Sequence, residues 1–173
     1  MTEEKIRVAV CPGSFDPVTL GHLDIISRSR KVFDHVIVAV MINPAKKTLF
    51  TVEERIDLLK RATADMEHIE VVGFEGLLAE YAKARGASAV IKGLRAVTDF
   101  EYEFQQALTN KKLNPDLETL FMTTSSEHMF LSSSIVKQIA MFGGDISNFV
   151  PECILKDVKD RIRLDMKKRE NEN

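Results

Sequence analysis

The order of hydrophobic and polar residues along the chain predicts alternating strands and helices. Short continuous apolar runs, rich in Val and Ile and bounded by turn residues, are typical of buried strands. Longer segments in which apolar residues recur every three or four positions are typical of amphipathic helices. The predicted strands are 6–11, 36–42, 69–72, 89–91 and 117–122. The predicted helices are 21–33, a second that opens at Thr51, then 77–85, 100–112, 132–142, and a last one that starts at Pro151.

Three of these helices carry recognisable end signals. Thr51 and Glu54 have the spacing of a capping box, in which each side chain accepts a hydrogen bond from the backbone amide of the other residue. Gly86 is expected to stop the third helix, and Gly143-Gly144 the fifth, because glycine readily adopts the left-handed conformation that ends a helix.

Continuous apolar strands separated by amphipathic helices predict a parallel sheet covered on both faces. The expected fold is therefore α/β, a doubly wound Rossmann-like domain with a five-stranded parallel sheet. No linker, repeat or low-complexity segment interrupts the chain, so residues 1–173 are predicted to form a single domain with a charged C-terminal helical tail. In such sheets ligands bind beyond the carboxyl ends of the strands, so candidate functional residues are sought there.

Composition limits the classes of function. The chain has 173 residues, 45% apolar, and a formal net charge of −2, which gives no general electrostatic reason to bind nucleic acid or an anionic membrane. Cys11 and Cys153 lie far apart and belong to no metal-ligand motif, which argues against a disulfide framework or a zinc site. No apolar run is long enough for a membrane span, so a reduced, cytoplasmic protein is expected. Any anion must be captured locally.

The segment after the first strand is suited to phosphate. Residues 11–22 are dense in Gly, Pro and hydroxyl side chains and lead into a helix N-terminus, where exposed amides and the helix dipole favour an anion. Neither a Walker A motif nor a GxGxxG motif is present, which argues against P-loop NTPases and dinucleotide dehydrogenases. His22 could serve this site, or it could simply cap or pack at the helix start; the residues alone leave both interpretations open.

Positive charge recurs at the same predicted edge of the sheet. Lys46-Lys47 follows the second strand, and Lys92 and Arg95 flank Gly93 after the fourth. Either pair of cationic residues alone would be typical of a solvated loop. Their coincidence in a chain of slight negative charge indicates an anion site.

Two further groups of residues are candidates for catalysis. Glu101 and Glu103 are two residues apart on a predicted helix and so point to different faces, which argues against a paired acid and base. Ser132, Ser133 and Ser134 begin another helix; N-capping explains one of them, and three in a row suggest contacts to phosphate oxygens. No serine has a visible His/Asp partner or a GxSxG elbow, so nucleophilic hydrolysis is not favoured.

Together these motifs resemble a known family. The sequences PGSFDP and TLGH within residues 12–22 are similar to the signature of the nucleotidylyltransferase superfamily, including its (H/T)xGH element. With Lys46-Lys47, the GLRA…DFEYE stretch in residues 93–103 and the SSSIVK stretch in residues 132–137, the chain resembles bacterial phosphopantetheine adenylyltransferases over nearly its whole length. The last two stretches are more specific than the TxGH element.

The resemblance implies transfer of an adenylyl group from ATP to 4′-phosphopantetheine, giving dephospho-coenzyme A and pyrophosphate in coenzyme A synthesis. It also implies a homohexamer and Mg²⁺ that bridges phosphate oxygens, with no metal ligand from the protein. The residues suit this chemistry, because a substrate phosphate attacks the α-phosphorus directly and the protein only aligns and neutralises two polyanions.

By similarity, His22 would stabilise the five-coordinate α-phosphate. The residues expected to bind ATP are Ser14, Phe15, His22, Gly93, Leu94, Arg95, Glu103, His128, Met129, Phe130, Leu131, Ser132, Ser133 and Ser134. The residues expected to bind phosphopantetheine are Ser14, Lys46, Leu78, which would line the pantetheine arm, and Lys92.

The sequence departs from the family pattern at two positions, and two other functions stay open. Lys92 stands where the family often has Arg, and His128 where it often has Trp or Tyr.

Another nucleotidylyltransferase would keep the TxGH element but should lack the DFEYE stretch. A noncatalytic nucleotide or coenzyme A sensor could keep the fold and the basic edge, and a pyrophosphate-exchange assay separates it from an enzyme.

Overall fold

The computed structural model describes residues 6–43, 47–95 and 97–172 and contains the expected five-stranded parallel sheet. The strands are β1 (Val8–Gly13), β2 (His35–Met41), β3 (Ile69–Phe74), β4 (Ala89–Leu94) and β5 (Glu118–Thr123). Their order across the sheet is β3-β2-β1-β4-β5, and every neighbouring pair is parallel. The predicted α/β doubly wound fold is confirmed.

Six α-helices accompany the sheet in the described residues. They are α1 (Leu20–Ser29), α2 (Val52–Ala62), α3 (Leu78–Ala84), α4 (Val97–Leu113), α5 (Ser133–Met141) and α6 (Glu152–Glu172). The predicted helix 21–33 is shorter than expected, because the chain turns after Ser29, whose carbonyl accepts hydrogen bonds from the amides of Val32 and Phe33. The sequence pattern did not indicate a short 3₁₀ turn, Ser126–His128.

The prediction that the fourth strand ends at residue 91 is wrong. β4 continues through Lys92, Gly93 and Leu94, which pair with the last residues of β5. The backbone ladder with β5 extends the strand beyond the point where the apolar run stops. Lys92 to Leu94 therefore belong to the carboxyl end of the strand itself, and only Arg95 follows it.

The predicted helix signals are confirmed. The Thr51 amide donates to Glu54 Oε2 at 2.8 Å, and the Glu54 amide donates to Thr51 Oγ1 at 3.3 Å. Gly86 and Gly143 follow α3 and α5 with φ values of 64° and 78°, a conformation that favours glycine.

Alternate residues of the central strands supply two hydrophobic cores. On β2, Val36, Val38 and Val40 face one core, to which α1, α2, α5 and α6 contribute, whereas Ile37 and Ala39 face the core that includes α3. Within the described residues, no helix is both long enough and apolar enough to cross a membrane.

The strand order positions the site. From β1 the chain winds outward through β2 to β3, then returns to place β4 on the opposite side of β1. The connections therefore diverge at the carboxyl ends of β1 and β4, which is where doubly wound sheets form their ligand crevice.

Candidate active site

His22 takes part in the cap of α1. Thr19, 1% exposed, is the N-cap residue, and its backbone N–H donates to His22 Nδ1 at 3.0 Å. The His22 amide donates in return to Thr19 Oγ1 at 3.4 Å. Because Nδ1 accepts this backbone hydrogen bond, the neutral ring carries its proton on Nε2. No partner for Nε2 lies in the described part of the chain, so this N–H donor remains available.

The surroundings of His22 keep its ring neutral. Burial, with a smaller effect from the positive charge of Arg95, lowers the pKa of His22 to about 4. The Phe15 ring lies edge-on to the imidazole, with centroids 5.1 Å apart. At neutral pH His22 is therefore an oriented, uncharged hydrogen-bond donor.

Phe15 packs against the end of β1. The residue is 3% exposed, and its ring covers Gly13, where an added Cβ would lie 2.8 Å from the ring. Its φ of 48° is unusual for a residue other than glycine. The Phe15 ring is therefore committed to packing inside the protein, and the contact of Phe15 with ATP stays a prediction.

Asp16 anchors the loop between β1 and α1, residues 14–19, which is called the first loop here. At the level of sequence, Asp16 was missed as a site residue. Asp16 is 4% exposed, and its carboxylate accepts hydrogen bonds from the amides of Leu49 and Phe50, both at 2.9 Å. Lys137 Nζ, on α5, lies 2.9 Å from Asp16 Oδ2. Both Asp16 and Lys137 occur in the quoted motifs, but 121 positions separate them, so their pairing had no local signal.

The three serines at the start of α5 differ in what they can offer. Ser132 Oγ caps the helix by accepting from the Ile135 amide at 3.1 Å, which leaves its own proton free to donate. Ser133 Oγ donates to the Pro17 carbonyl at 2.7 Å, so its proton is already committed. Ser134 is exposed. The capping role expected for one serine is confirmed for Ser132.

Segment 128–131 borders the crevice beside α1. His128 lies next to Gly21, where an added Cβ would be 3.5 Å from the His128 Cβ. Arg95 Nη1 donates to the Leu131 carbonyl at 3.0 Å, which ties this segment to the end of β4. Leu131 is buried, whereas Met129 and Phe130 are about half exposed, at 52% and 55%.

Lys92 and Glu103 are paired with each other. Lys92 Nζ lies 3.0 Å from Glu103 Oε2, and the two side chains are 20% and 22% exposed. Lys92 therefore does not extend into solvent, as a lysine of a solvated loop would. Glu101 is exposed whereas Glu103 is not, as their spacing on α4 predicted. Beside them, burial raises the pKa of the Cys11 thiol to about 12 although the charge of Lys92 opposes this, so Cys11 is no nucleophile.

The other predicted residues that the structure describes lie at the same edge of the sheet. Gly93 allows close packing of α1, since an added Cβ would lie 3.0 Å from Ile25. Leu78 opens α3 just beyond β3 and is half-buried against the second core. Lys46 lies outside the described residues. Within those residues, no group of three or more His, Cys, Asp or Glu could hold a metal ion.

Comparison with known proteins agrees with this geometry. The cytidylyltransferase-like family model matches residues 10–139. A solved structure from Vibrio parahaemolyticus, provisionally assigned as a nicotinate-nucleotide adenylyltransferase, superposes with a TM-score of 0.67 over 91% of this chain and 96% of its own. Its sequence identity is 19%, so it supports the fold alone.

Curated relatives are much more similar. A phosphopantetheine adenylyltransferase of Caldanaerobacter subterraneus subsp. tengcongensis is 58% identical over 91% of this chain and 99% of its own. Those of Clostridium tetani and Clostridium botulinum (strain Alaska E43) are 56% and 54% identical over 88% and 92% of this chain and 96% and 100% of their own. The chain thus belongs to the phosphopantetheine adenylyltransferase family, within the cytidylyltransferase-like group.

Proposed function

We propose that this protein transfers the adenylyl group of ATP to 4′-phosphopantetheine, with dephospho-coenzyme A and pyrophosphate as products. The observation that carries the proposal is the neutral imidazole of His22, which the cap of α1 holds with Nε2–H free beside the crevice. The names of the relatives support the choice of acceptor.

The chemistry requires no nucleophile from the protein. An oxygen of the 4′-phosphate attacks the α-phosphorus of ATP, and a new P–O bond forms there as the bond to the pyrophosphate oxygen breaks. The protein holds the two polyanions in line and stabilises the charge on the five-coordinate α-phosphate. We assign that stabilisation to the Nε2–H donor of His22.

The strand order supports a division of the site between the substrates. We assign the acceptor to the β1–β2–β3 side, with Lys92 reaching it from β4, and ATP to the β4–β5 side with α5. The reacting phosphates then meet at β1 and β4, next to His22. The Lys92–Glu103 ion pair joins a residue of each half.

The proposed acceptor residues are Ser14, Lys46, Leu78 and Lys92. The proposed ATP residues are Ser14, Phe15, His22, Gly93, Leu94, Arg95, Glu103 and those of segment 128–134.

Magnesium is proposed to enter with ATP. The carboxylates described at this edge are engaged by the protein, Asp16 by Lys137 and Glu103 by Lys92, so the donors suit a metal carried on phosphate oxygens rather than in a protein cage. When bound, the ion would neutralise charge on the ATP phosphates. Activity should disappear with a chelator and return with added Mg²⁺.

Pyrophosphate exchange tests the function directly. Purified protein, dephospho-coenzyme A and labelled pyrophosphate should yield labelled ATP, and His22→Ala should form far less. A noncatalytic sensor would form none. Another nucleotidylyltransferase would fail with dephospho-coenzyme A and succeed only with a different adenylylated product.

We also propose that the protein acts as a homohexamer in the cytoplasm. Both cysteines are free thiols, which suits a reducing compartment. Exposed apolar side chains on one face of α4, beside the edge strand β5, offer a surface for self-association. These side chains are Phe100, Phe104 and Leu108, which follow one another at four-residue spacing.

Light scattering on the purified protein tests this assembly. We expect six times the mass of one chain and a smaller species for Phe104→Glu. The matched control is Phe142→Glu, which also places a charge at an exposed phenylalanine but outside this surface. A monomeric wild-type protein would contradict the hexamer.

A further inference from the structure

A buried arginine stands behind the first loop, outside the residues assigned above. Arg55 is 3% exposed, although it lies near the start of α2, where the helix dipole disfavours a cation. In the described part of the chain its hydrogen bonds go only to backbone carbonyls and to no carboxylate. A buried charge without a counter-ion lowers the stability of the folded protein. Stability therefore does not explain why an arginine lies at this buried position.

Two of the three carbonyls that accept hydrogen bonds from Arg55 lie at the carboxyl ends of neighbouring strands, and the third belongs to the N-cap of α2. Nη1 donates to the Ser14 carbonyl at 2.8 Å and to the Met41 carbonyl at 3.4 Å, while Nε donates to the Thr51 carbonyl at 3.3 Å. Ser14 directly follows β1, and Met41 is the last residue of β2. One guanidinium therefore joins the first loop, the start of the loop that leads to Lys46, and α2.

The bond to Ser14 sets the orientation of one peptide plane. The Ser14–Phe15 peptide is trans, so its C=O and N–H point in opposite directions. Because Arg55 binds the carbonyl from the interior, the Phe15 N–H faces away from Arg55. The hydrogen bond also helps to hold Phe15 at its unusual φ of 48°. Phenylalanine has no polar side-chain atom, so this N–H is the one hydrogen-bond donor that Phe15 has for a phosphate.

We propose that Arg55 is a positioning residue for the acceptor phosphate. It orients the Ser14–Phe15 peptide, fixes the start of the β2 loop, and adds a positive charge behind the anion site, where low polarity strengthens its effect. This inference rests on the proposed function and goes beyond it, since Arg55 belongs to neither assigned substrate set.

Three variants test the role of Arg55. Arg55→Gln removes the positive charge and the planar guanidinium with its N–H donors. Arg55→Lys keeps the charge but loses the planar arrangement of donors. Arg61→Gln is the matched control on the same helix. Arg61 also donates to a backbone carbonyl, that of Cys153, and pairs with Asp157, but it lies at the opposite end of α2.

For each variant, urea unfolding gives the stability, and steady-state kinetics with both substrates give kcat and the two KM values under conditions where the protein is folded. We expect Arg55→Gln to raise the KM for phosphopantetheine about tenfold, the scale of one lost hydrogen bond to a charged group. The KM for ATP should rise by clearly less, about threefold, because only the Ser14–Phe15 peptide, and not the loop after β2, also serves ATP in the proposed division of the site. Arg55→Lys should recover part of kcat/KM for phosphopantetheine, and Arg61→Gln should change stability without changing either KM.

Several results would overturn the role. A folded Arg55→Gln protein with the wild-type KM for phosphopantetheine would refute it, as would an equal rise in both KM values. If the glutamine variant does not fold, the same criteria apply to Arg55→Lys; failure of both to fold would make Arg55 a determinant of folding instead. Wild-type protein in the same assay separates the two proposals, because an inactive wild type contradicts the function and not the role of Arg55.

Discussion

The protonation state of His22 can be tested by changing the pH. The Thr19 amide occupies Nδ1, so the neutral ring already carries the donor that the α-phosphate needs on Nε2. Protonation is therefore unnecessary for catalysis, and kcat should show no titration of His22 between about pH 5 and 8. Removing the donor by His22→Ala should lower kcat by about 10²- to 10³-fold, with smaller changes in substrate affinity.

The lowered pKa also predicts how stability depends on pH. In the unfolded chain the imidazole gains a proton as the pH falls through its ordinary 6.5, whereas in the folded protein it resists until about pH 4. Between these values the unfolded state binds more protons, so the contribution of His22 to stability is present above pH 6.5 and is lost as the pH falls. The full effect is about 3 kcal/mol, of which about 2 kcal/mol is lost between pH 7.5 and 5.

Urea unfolding of the wild type and His22→Ala at these two pH values measures that contribution. Other groups titrate in both proteins, so the comparison isolates His22. On acidification the wild type should lose about 2 kcal/mol more than the variant. The variant also loses the cap bond, but this cost does not depend on pH and cancels in the comparison.

Three results would refute this reasoning. One is a stability difference between the two proteins that does not change with pH. The second is a wild-type kcat that titrates near pH 6.5. The third is a nitrogen-15 spectrum in which His22 carries its neutral-state proton on Nδ1.

Three further changes test the assigned residues. Lys46→Ala should weaken phosphopantetheine binding in calorimetric titration and leave ATP binding nearly intact; an equal loss for both ligands would contradict the division of the site. Lys92→Ala should cost about 1.5 to 3 kcal/mol in kcat/KM for phosphopantetheine, while Lys92→Arg should be tolerated; an unchanged value for the alanine variant would remove Lys92 from the site. Asp16→Ala should lower the free energy of unfolding by about 3 kcal/mol, because it leaves Lys137 and two amides without their buried acceptor, and a urea midpoint equal to that of the wild type would contradict this.

The sequence predicted most of the fold because the relevant signals are local. Apolar runs and helical periodicity depend on neighbouring residues, and so does the Thr51–Glu54 capping box. The end of β4 depends on pairing with β5, about thirty positions further along the chain, so the apolar run at 89–91 indicated too short a strand. The edge that carries the site followed from the general rule for parallel sheets.

The supports of the site were harder to predict. Asp16 and Lys137 meet only after folding, and Arg55 stands in a polar stretch that is typical of a solvated helix face. Nothing in the spacing of Arg55 indicated that its side chain turns inward to the carbonyls of two strand ends. Long-range contacts decide these positions, and a pattern that repeats every few residues carries no information about them.

His22 shows why two interpretations of one residue need not exclude each other. Thr19 and His22 have the same three-residue spacing as Thr51 and Glu54, and both pairs close a capping box. In α2 the box satisfies backbone amides and leaves the Glu54 carboxylate to pair with Arg161. In α1 the histidine has a second nitrogen. Because the cap consumes Nδ1 and fixes the ring, the structural role that competed with phosphate binding at the level of sequence is what leaves Nε2–H oriented and ready to donate.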